Sequence, residues 1–394
     1  VEGQFRRFVT GTLLFGMAYQ LLLLAQGYTL FQLTDSTAYL AALGAATGIP
    51  QVFTPLVAGL LNDRLPRRQL LMAGSAVMLA VTAVVAAIYG LGRLEPWHLL
   101  VAGVFHGGLL GVDWTSRQAL LPAIVSRERL VSGVAIDLGV FNAARVVAPL
   151  TGGAVLAAWG GSPTYGLIAA LFAVNVLIVT GLRNPSPVAR SGRPAVLRDM
   201  REALAAAARN PVIGINLWFT AVNGILLGGI VYLMPAFAEV AVGTDERGLG
   251  WMFAALGAGA LAGSAWLSVA GVARRAGMGL LVSNLAFAAA GGAFAFSSDL
   301  WAALALAVLA SFFNMVHISI GAAAIQLSSN DELRGRVFGL YEVAWGAFPL
   351  GGLLLGSLAT VFDVRIALAA GAAAVAAFTL LVLIAAPRIR ALGF

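Results

Sequence analysis

With 394 residues, 60% of them hydrophobic and only 10% charged, and a mean hydropathy of +0.92, the chain lacks the polar surface that a soluble protein of this size needs. Cysteine is absent, which excludes disulfides, thiolate metal sites and cysteine nucleophiles. The formal net charge of +7 rests on 24 basic residues, all arginine, gathered where apolar stretches end; they form no continuous basic surface, so nucleic acid is not expected as a partner.

Apolar stretches predict an all-α integral membrane protein with twelve spans, at 8–33, 37–61, 69–92, 97–122, 130–159, 163–182, 211–238, 248–272, 276–297, 299–326, 336–361 and 364–386. Arginine supports the count independently. With the amino end inside, nineteen arginines fall on inner segments and only Arg93, Arg247 and Arg365 on outer ones, leaving Arg117 and Arg145 within spans. Both termini are therefore expected in the cytoplasm of a bacterial inner-membrane protein. Span 1 follows Arg6 and Arg7, but it has no A-x-A cleavage pattern and is too long for a signal h-region, so it is expected to remain.

In chain order, span 1 carries Tyr19 and Gln20 near mid-depth, and the hairpin after span 2 reads Gly59-Leu-Leu-Asn-Asp63-Arg64-Leu-Pro66-Arg67-Arg68. Span 4 holds His106, then Asp113 and Arg117, which are four apart and so share a helical face. Span 5 holds Asp137, Asn142, Arg145 and the run Ala148-Pro149-Leu-Thr-Gly152-Gly153. A polar, proline-bearing stretch then leads into an alanine-rich segment, 195–209, read as a surface helix. Span 7 carries Asn223, span 10 carries Asn314 and His317, and span 11 carries Glu342, Trp345 and Pro349-Leu-Gly351-Gly352. His106 and His317 lie in different halves with no carboxylate beside them in sequence, so a metal site is not expected. There is no P-loop, no G-x-S-x-G elbow and no H-E-x-x-H pair, so neither direct ATP hydrolysis, another enzymatic activity nor a bound cofactor is expected.

An internal repeat divides the chain. Ser126-Arg-Glu128-Arg-Leu130 before span 5 matches Ser329-Asn-Asp331-Glu-Leu333 before span 11, while the loop after span 8 keeps Arg274 and Arg275 but has lost the aspartate of the 59–68 hairpin. The expected domains are 1–183, a linker at 184–210 with a short amphipathic helix, and 211–394.

The 59–68 hairpin resembles the signature loop of the major facilitator superfamily, written G-x-L-x-D-R-x-G-R-R, with Pro66 where the second glycine is usual. The span 5 run resembles the G-P-x-x-G-G of proton-coupled antiporters, with Ala148 replacing the first glycine; ordinary helix packing would also use these small residues. Leu120-Leu-Pro122 and Asp331-Glu-Leu-Arg334-Gly335-Arg336-Val337 are similar to the branch that contains macrolide efflux pumps and enterobactin-type siderophore exporters. The resemblance implies two pseudo-symmetric six-helix bundles, a monomer, and a gate at the Asp63 loop. Asp113 and Arg117 are expected to join that gate at the level of Gly59, Asp63, Arg64, Arg67 and Arg68.

Charge within a bilayer costs about 2.5–3.5 kcal/mol per group on insertion scales, so each intramembrane charge needs a partner, water or a function. Asp137 and Glu342 are candidates for proton coupling, or for static salt bridges with Arg117 or Arg145. Arg145 is a candidate for holding an anionic substrate group, for the counter-charge of Asp137, or for a structural bridge. Tyr19, Gln20, His106, Asn142, Asn223, Asn314, His317 and Trp345 are expected to line a cavity for an amphipathic ligand. The leading expectation is a secondary active, proton-driven exporter of drugs or siderophore-like compounds with no bound cofactor. A lipid or lysolipid transporter and a non-transporting receptor or scaffold are the alternatives.

Overall fold

The computed structural model describes residues 2–126, 129–183, 196–270, 276–329 and 331–390, without the side chains of 55–57, 59, 60, 63, 64, 131, 196–199, 331–334 and 388. These residues form helices α1 (Glu2–Thr34), α2 (Thr37–Arg64), α3 (Arg67–Gly90), α4 (Pro96–Ile124), α5 (Leu130–Trp159), α6 (Gly161–Thr180), α7 (Val196–Arg209) and α8 (Pro211–Ala236). They continue with α9 (Glu246–Ala270), α10 (Ala276–Ala295), α11 (Leu300–Ser328), α12 (Asp331–Trp345), α13 (Phe348–Val361), α14 (Val364–Ala385) and the short α15 (Pro387–Arg390). Among the described residues eleven helical stretches are long and apolar enough to cross a membrane, and α2, 28 residues long, occupies the place of predicted span 37–61. The protein is an all-α, multi-pass membrane protein.

Helix starts follow from short polar residues that satisfy the free N–H groups of a first turn. Asn210 accepts from the amide of Val212 ahead of α8, Asp299 from Ala302 at α11, and Asp363 from Arg365 at α14. Glu95 and His98 form a capping box around α4, with Pro96 at the first helical position, where a missing N–H costs nothing. Beyond Pro235, α8 loosens into a π-helical turn over Phe237–Val242 that ends at Gly243, whose φ of 71° is left-handed.

Two compact units emerge. The first comprises Val1–Asp35, Ala45–Pro194 and Asp245–Ala254, and the second Ser36–Gly44, Ala195–Thr244 and Ala255–Phe394. In unit 1, α1 packs on α5 and α6, and α3 packs on α4 and α6. Phe8, Leu71, Leu120, Leu121 and Val179 close its core near the end where α3 begins and α6 ends, called here the arginine-rich end. In unit 2, α8 packs on α13 and α14, and α10 packs on α11 and α14, around Phe219, Leu280, Val316, Ile320 and Val382.

Two elements differ from or extend the sequence reading. The span expected at 336–361 remains one apolar spanning stretch, Gly335–Val361, but its helix is interrupted at Gly346–Ala347 into α12 and α13. Pro349 has no N–H, and its ring crowds the carbonyl four residues back, so the regular ladder stops there; the Ala347 amide bonds the Ala344 carbonyl instead, a tighter 3₁₀-type closure. The segment read as a surface helix is α7, and it docks on unit 2. Ala203 is buried, Ala206 and Ala207 pack with Ile213, Ile325, Val337 and Tyr341, and Glu202 pairs with Arg336 on α12.

A candidate coupling network and its surroundings

Asp113 and Arg117 lie one turn apart on α4 and bind each other in a forked pair, Nε to Oδ2 at 2.5 Å and Nη2 to Oδ1 at 3.3 Å. Each is only 3% exposed. The remaining Nη1 of Arg117 donates to the Thr12 hydroxyl on α1 at 3.3 Å, and that hydroxyl donates to Oδ1 of Asp137 on α5 at 2.6 Å. The guanidinium also sits 5.1 Å from the centre of the Phe15 ring, where the negative ring face attracts a cation. Three helices are thus joined through two carboxylates and one arginine. The Thr12 hydroxyl has a second acceptor, the Phe8 carbonyl at 3.3 Å, so its one proton has two destinations.

The arginines of the 59–68 hairpin do something else. Arg67 donates to the Ala119 carbonyl of α4 at 2.5 Å, and Arg68 donates to the carbonyls of Thr180 and Leu182, at 3.2 and 3.1 Å, where α6 ends. Arg7 and Gln4 reach the Gly181 carbonyl, at 2.7 and 3.2 Å. Carbonyls at a helix end lack intrahelical donors and carry partial negative charge, so arginine satisfies both needs. Gly59 and the side chains of Asp63 and Arg64 lie outside the described residues, as do Arg274 and Arg275, so the expected Asp63–Asp113–Arg117 gate is described only in its α4 part.

Arg145 lies at the midpoint of α5, half-buried, with the Tyr19 phenol of α1 as its electrostatic neighbour. Tyr19 stacks parallel to Phe15 at 6.3 Å, and Phe141, one turn before Arg145, meets Trp114 of α4 edge-on at 5.4 Å. Asn142 is half-buried on the next position, and Gln20 is half-buried on α1. Further along α5, a Cβ on Gly153 would stand 2.6 Å from the Glu246 carbonyl, and one on Gly250 would stand 2.6 Å from the Pro149 carbonyl. Only glycine on both sides permits that crossing of α5 and α9. Gly152 packs on Leu21 of α1 at ordinary distance, and Tyr28 donates to Glu246 at 2.5 Å beside the crossing.

Four of the residues expected at a cavity wall, His106, Asn223, Asn314 and His317, are buried in the interiors of their units. His106 is held by the Oε1 of Gln26 at 3.0 Å, while Gln26 itself donates to the Leu99 carbonyl. Asn223 donates to Asn284 of α10 at 2.6 Å, and Asn284 donates to Thr379 of α14 at 2.7 Å. His317 faces the Leu280 carbonyl at 3.1 Å with its ring edge-on to Phe219, and Asn314 is equally buried. Tyr341 is buried, Trp345 is half-buried beside Phe348, and Glu342 is exposed on α12 with no hydrogen bond or ion pair to its side chain among the described residues. No cluster of three or more potential metal ligands occurs among the described residues.

Sequence reading missed Thr12, Gln26, Asn284 and Thr379. Asn284 carried a usable signal: a lone amide in an apolar span must find a partner on a neighbouring helix. Thr12 carried none, because a threonine hydroxyl can be satisfied by its own helix.

The described residues thus form a multi-pass helical membrane protein in which a buried ion network joins three helices. The chain matches the family described as transmembrane secretion effectors over residues 3–392, and it belongs to that family of the major facilitator superfamily. It is 29% identical over 338 residues to the multidrug efflux pump Tap of Mycolicibacterium fortuitum, covering 81% of this chain and 80% of that protein. It is 28% identical over 340 residues to the enterobactin exporter EntS of Salmonella typhimurium, covering 82% and 78%. Among solved structures the fold is similar to the nucleoside transporter NupG, with a TM-score of 0.73 at 15% identity over 97% of this chain and 98% of that one. It is also similar to a peptide transporter of the POT type, with a TM-score of 0.75 at 14% identity over 99% and 95%. The protein is a secondary active transporter of small molecules.

Proposed function

We propose that this protein is a proton-coupled exporter of amphipathic small molecules in the bacterial inner membrane. It works as a monomer by alternating access between two six-helix halves, 1–183 and 211–394, with both termini in the cytoplasm. The observation that carries the coupling is the Asp113–Arg117–Thr12–Asp137 network. Two buried carboxylates around one guanidinium leave a negative charge in excess when both are ionised, and burial makes an unbalanced charge costly. A single proton neutralises the site, and Asp137, bound to Thr12 and not directly to Arg117, is where it goes. When Asp137 is ionised it accepts from Thr12. When Asp137 is protonated it donates to Thr12, whose own proton turns to the Phe8 carbonyl.

Several observations support the wider reading. The twelve-helix layout is supported by the recurrence of packing order, α1 on α6 and α3 on α6 in one unit, α8 on α14 and α10 on α14 in the other. The two relatives, an efflux pump and a siderophore exporter, favour outward movement of drugs or siderophore-like compounds. Glu342, unpaired and exposed on a spanning stretch, is the second candidate for proton binding.

The test is reconstitution in proteoliposomes under an imposed pH gradient, with dyes, macrolides, siderophores and fluorescent lysolipids as probes. Asp137→Asn should abolish gradient-driven movement of the probe that the wild type carries while the protein still folds and binds it. Gradient-driven transport at the wild-type rate in both Asp137→Asn and Glu342→Gln would remove the coupling assignment. Movement of lysolipids alone would redirect it to a lipid transporter.

A further inference from the structure

We propose that Arg145 is an anion-recognition residue, and that the substrates of this transporter are amphiphiles carrying a carboxylate, catecholate or phosphate group. The inference rests on the transport reading above and assigns the chemistry of its cargo. Arg145 occupies the midpoint of α5, where an unpaired guanidinium is most costly, and among the described residues no carboxylate pairs with it. Guanidinium keeps its charge throughout the accessible pH range, so deprotonation offers no escape from that cost.

The acids of the same unit are engaged elsewhere. Asp113 is taken by Arg117, and Asp137 is taken by Thr12 and lies two turns away along α5, about 12 Å at helical rise, beyond the reach of an ion pair. Among the described residues no hydrogen bond or ion pair engages the Arg145 guanidinium, which is half-buried beside the Tyr19 phenol. Its surroundings are apolar and aromatic: Trp114 against Phe141, and Tyr19 stacked on Phe15. A single fixed cation among ring faces suits a ligand with an acidic head and an apolar body, because the rings bury the body while the fork orients the head. Arg145 also lies two turns before Gly153, on the same ridge of α5, which places it just short of the Gly153–Gly250 crossing.

The experiment pairs probes that differ in charge alone: a fluorescent carboxylic acid dye and its methyl ester, with fluorescent lysophosphatidylglycerol and lysophosphatidylcholine as the lipid arm. Uptake is driven by a pH gradient in proteoliposomes of the full chain. The wild type should prefer the anionic member of at least one pair, and Arg145→Gln should lower that preference roughly tenfold or more, the range of a charge-assisted hydrogen bond. Arg145→Lys should retain part of it, which keeps the test readable if the Gln variant fails to fold. Preference within the dye pair points to free acids, and preference within the lysolipid pair points to a lipid headgroup. Preference for the neutral probe, or an anion preference unchanged in Arg145→Gln, overturns the assignment and leaves the transport reading standing. Absence of any gradient-driven movement in the wild type overturns both.

Discussion

Unit 1 holds its helices together through buried charge, whereas unit 2 holds the corresponding helices through neutral groups. Residues 204 apart, as 12 and 216 or 117 and 321 are, make the contrast concrete, a spacing one longer than the loop repeat alone indicates. Thr12 meets Arg117 in unit 1; in unit 2 Asn216 lies against Gly321, where a Cβ would stand 2.8 Å from the amide oxygen. Phe15 faces Arg117, and Phe219 faces His317, the residue spaced 204 from Asp113. Asp137 corresponds to Tyr341, a phenol buried among Ile213, Ile325 and Val337. Asn175, which binds Ser75 at 2.9 Å, corresponds to Thr379, which accepts from Asn284. The neutral unit shows that such helix contacts do not require ions. Charges kept in unit 1 at the desolvation cost of burial are the reason that the coupling is proposed there.

The largest expected effect breaks the contrast at its centre. Arg117→Met leaves two buried carboxylates without a cation, a loss of about 3–5 kcal/mol for a broken buried pair. It should appear as a marked fall in melting temperature and yield in detergent. Adding Asp113→Asn should recover most of the stability while gradient-driven transport stays lost. Full stability of the single variant would mean that the network is no more demanding than its neutral counterpart.

A smaller effect is expected at the neutral counterpart. Asn284→Leu takes an acceptor from Asn223 and a donor from Thr379, and interhelical hydrogen bonds in membranes put that at about 1–2 kcal/mol. Thermal stability should fall modestly, and the pH dependence of transport should not move. A displaced pH profile in this variant would place titration in unit 2 and reverse the comparison.

Much of the fold was legible in sequence because a spanning helix announces itself by length and apolarity. Asp113 and Arg117 were legible as a pair because four-residue spacing fixes a common face. What sequence could not give was direction across the bundle. His106, Asn223 and His317 bond partners within their own units and Asn314 is buried, because the rotation of a helix depends on its neighbours and not on its own spacing. Arg67 and Arg68 read as members of a gate; that they donate to carbonyls of α4 and of the end of α6 was not legible, because those elements lie far off in sequence. The break in span 11 was signalled by Pro349, but helices in membranes often tolerate proline, so its presence alone did not fix a stop.

The finest test of the comparison is Thr12, whose hydroxyl, among the described residues, links the ion pair to Asp137. Thr12→Val keeps the shape and the β-branching and removes the hydroxyl, at about 0.5–1.5 kcal/mol of stability for one hydrogen bond. Its informative readout is the pH profile. Thr12 donates to the ionised form of Asp137, so its loss disfavours that form, and the proton leaves only at higher pH. The midpoint of gradient-driven transport should therefore rise. Thr12→Ser, which restores the hydroxyl, should return the midpoint to the wild-type value. A role in packing alone would lower stability in Val without moving the midpoint, and it would leave Arg117 and Asp137 as two unconnected residues in a unit that happens to be charged.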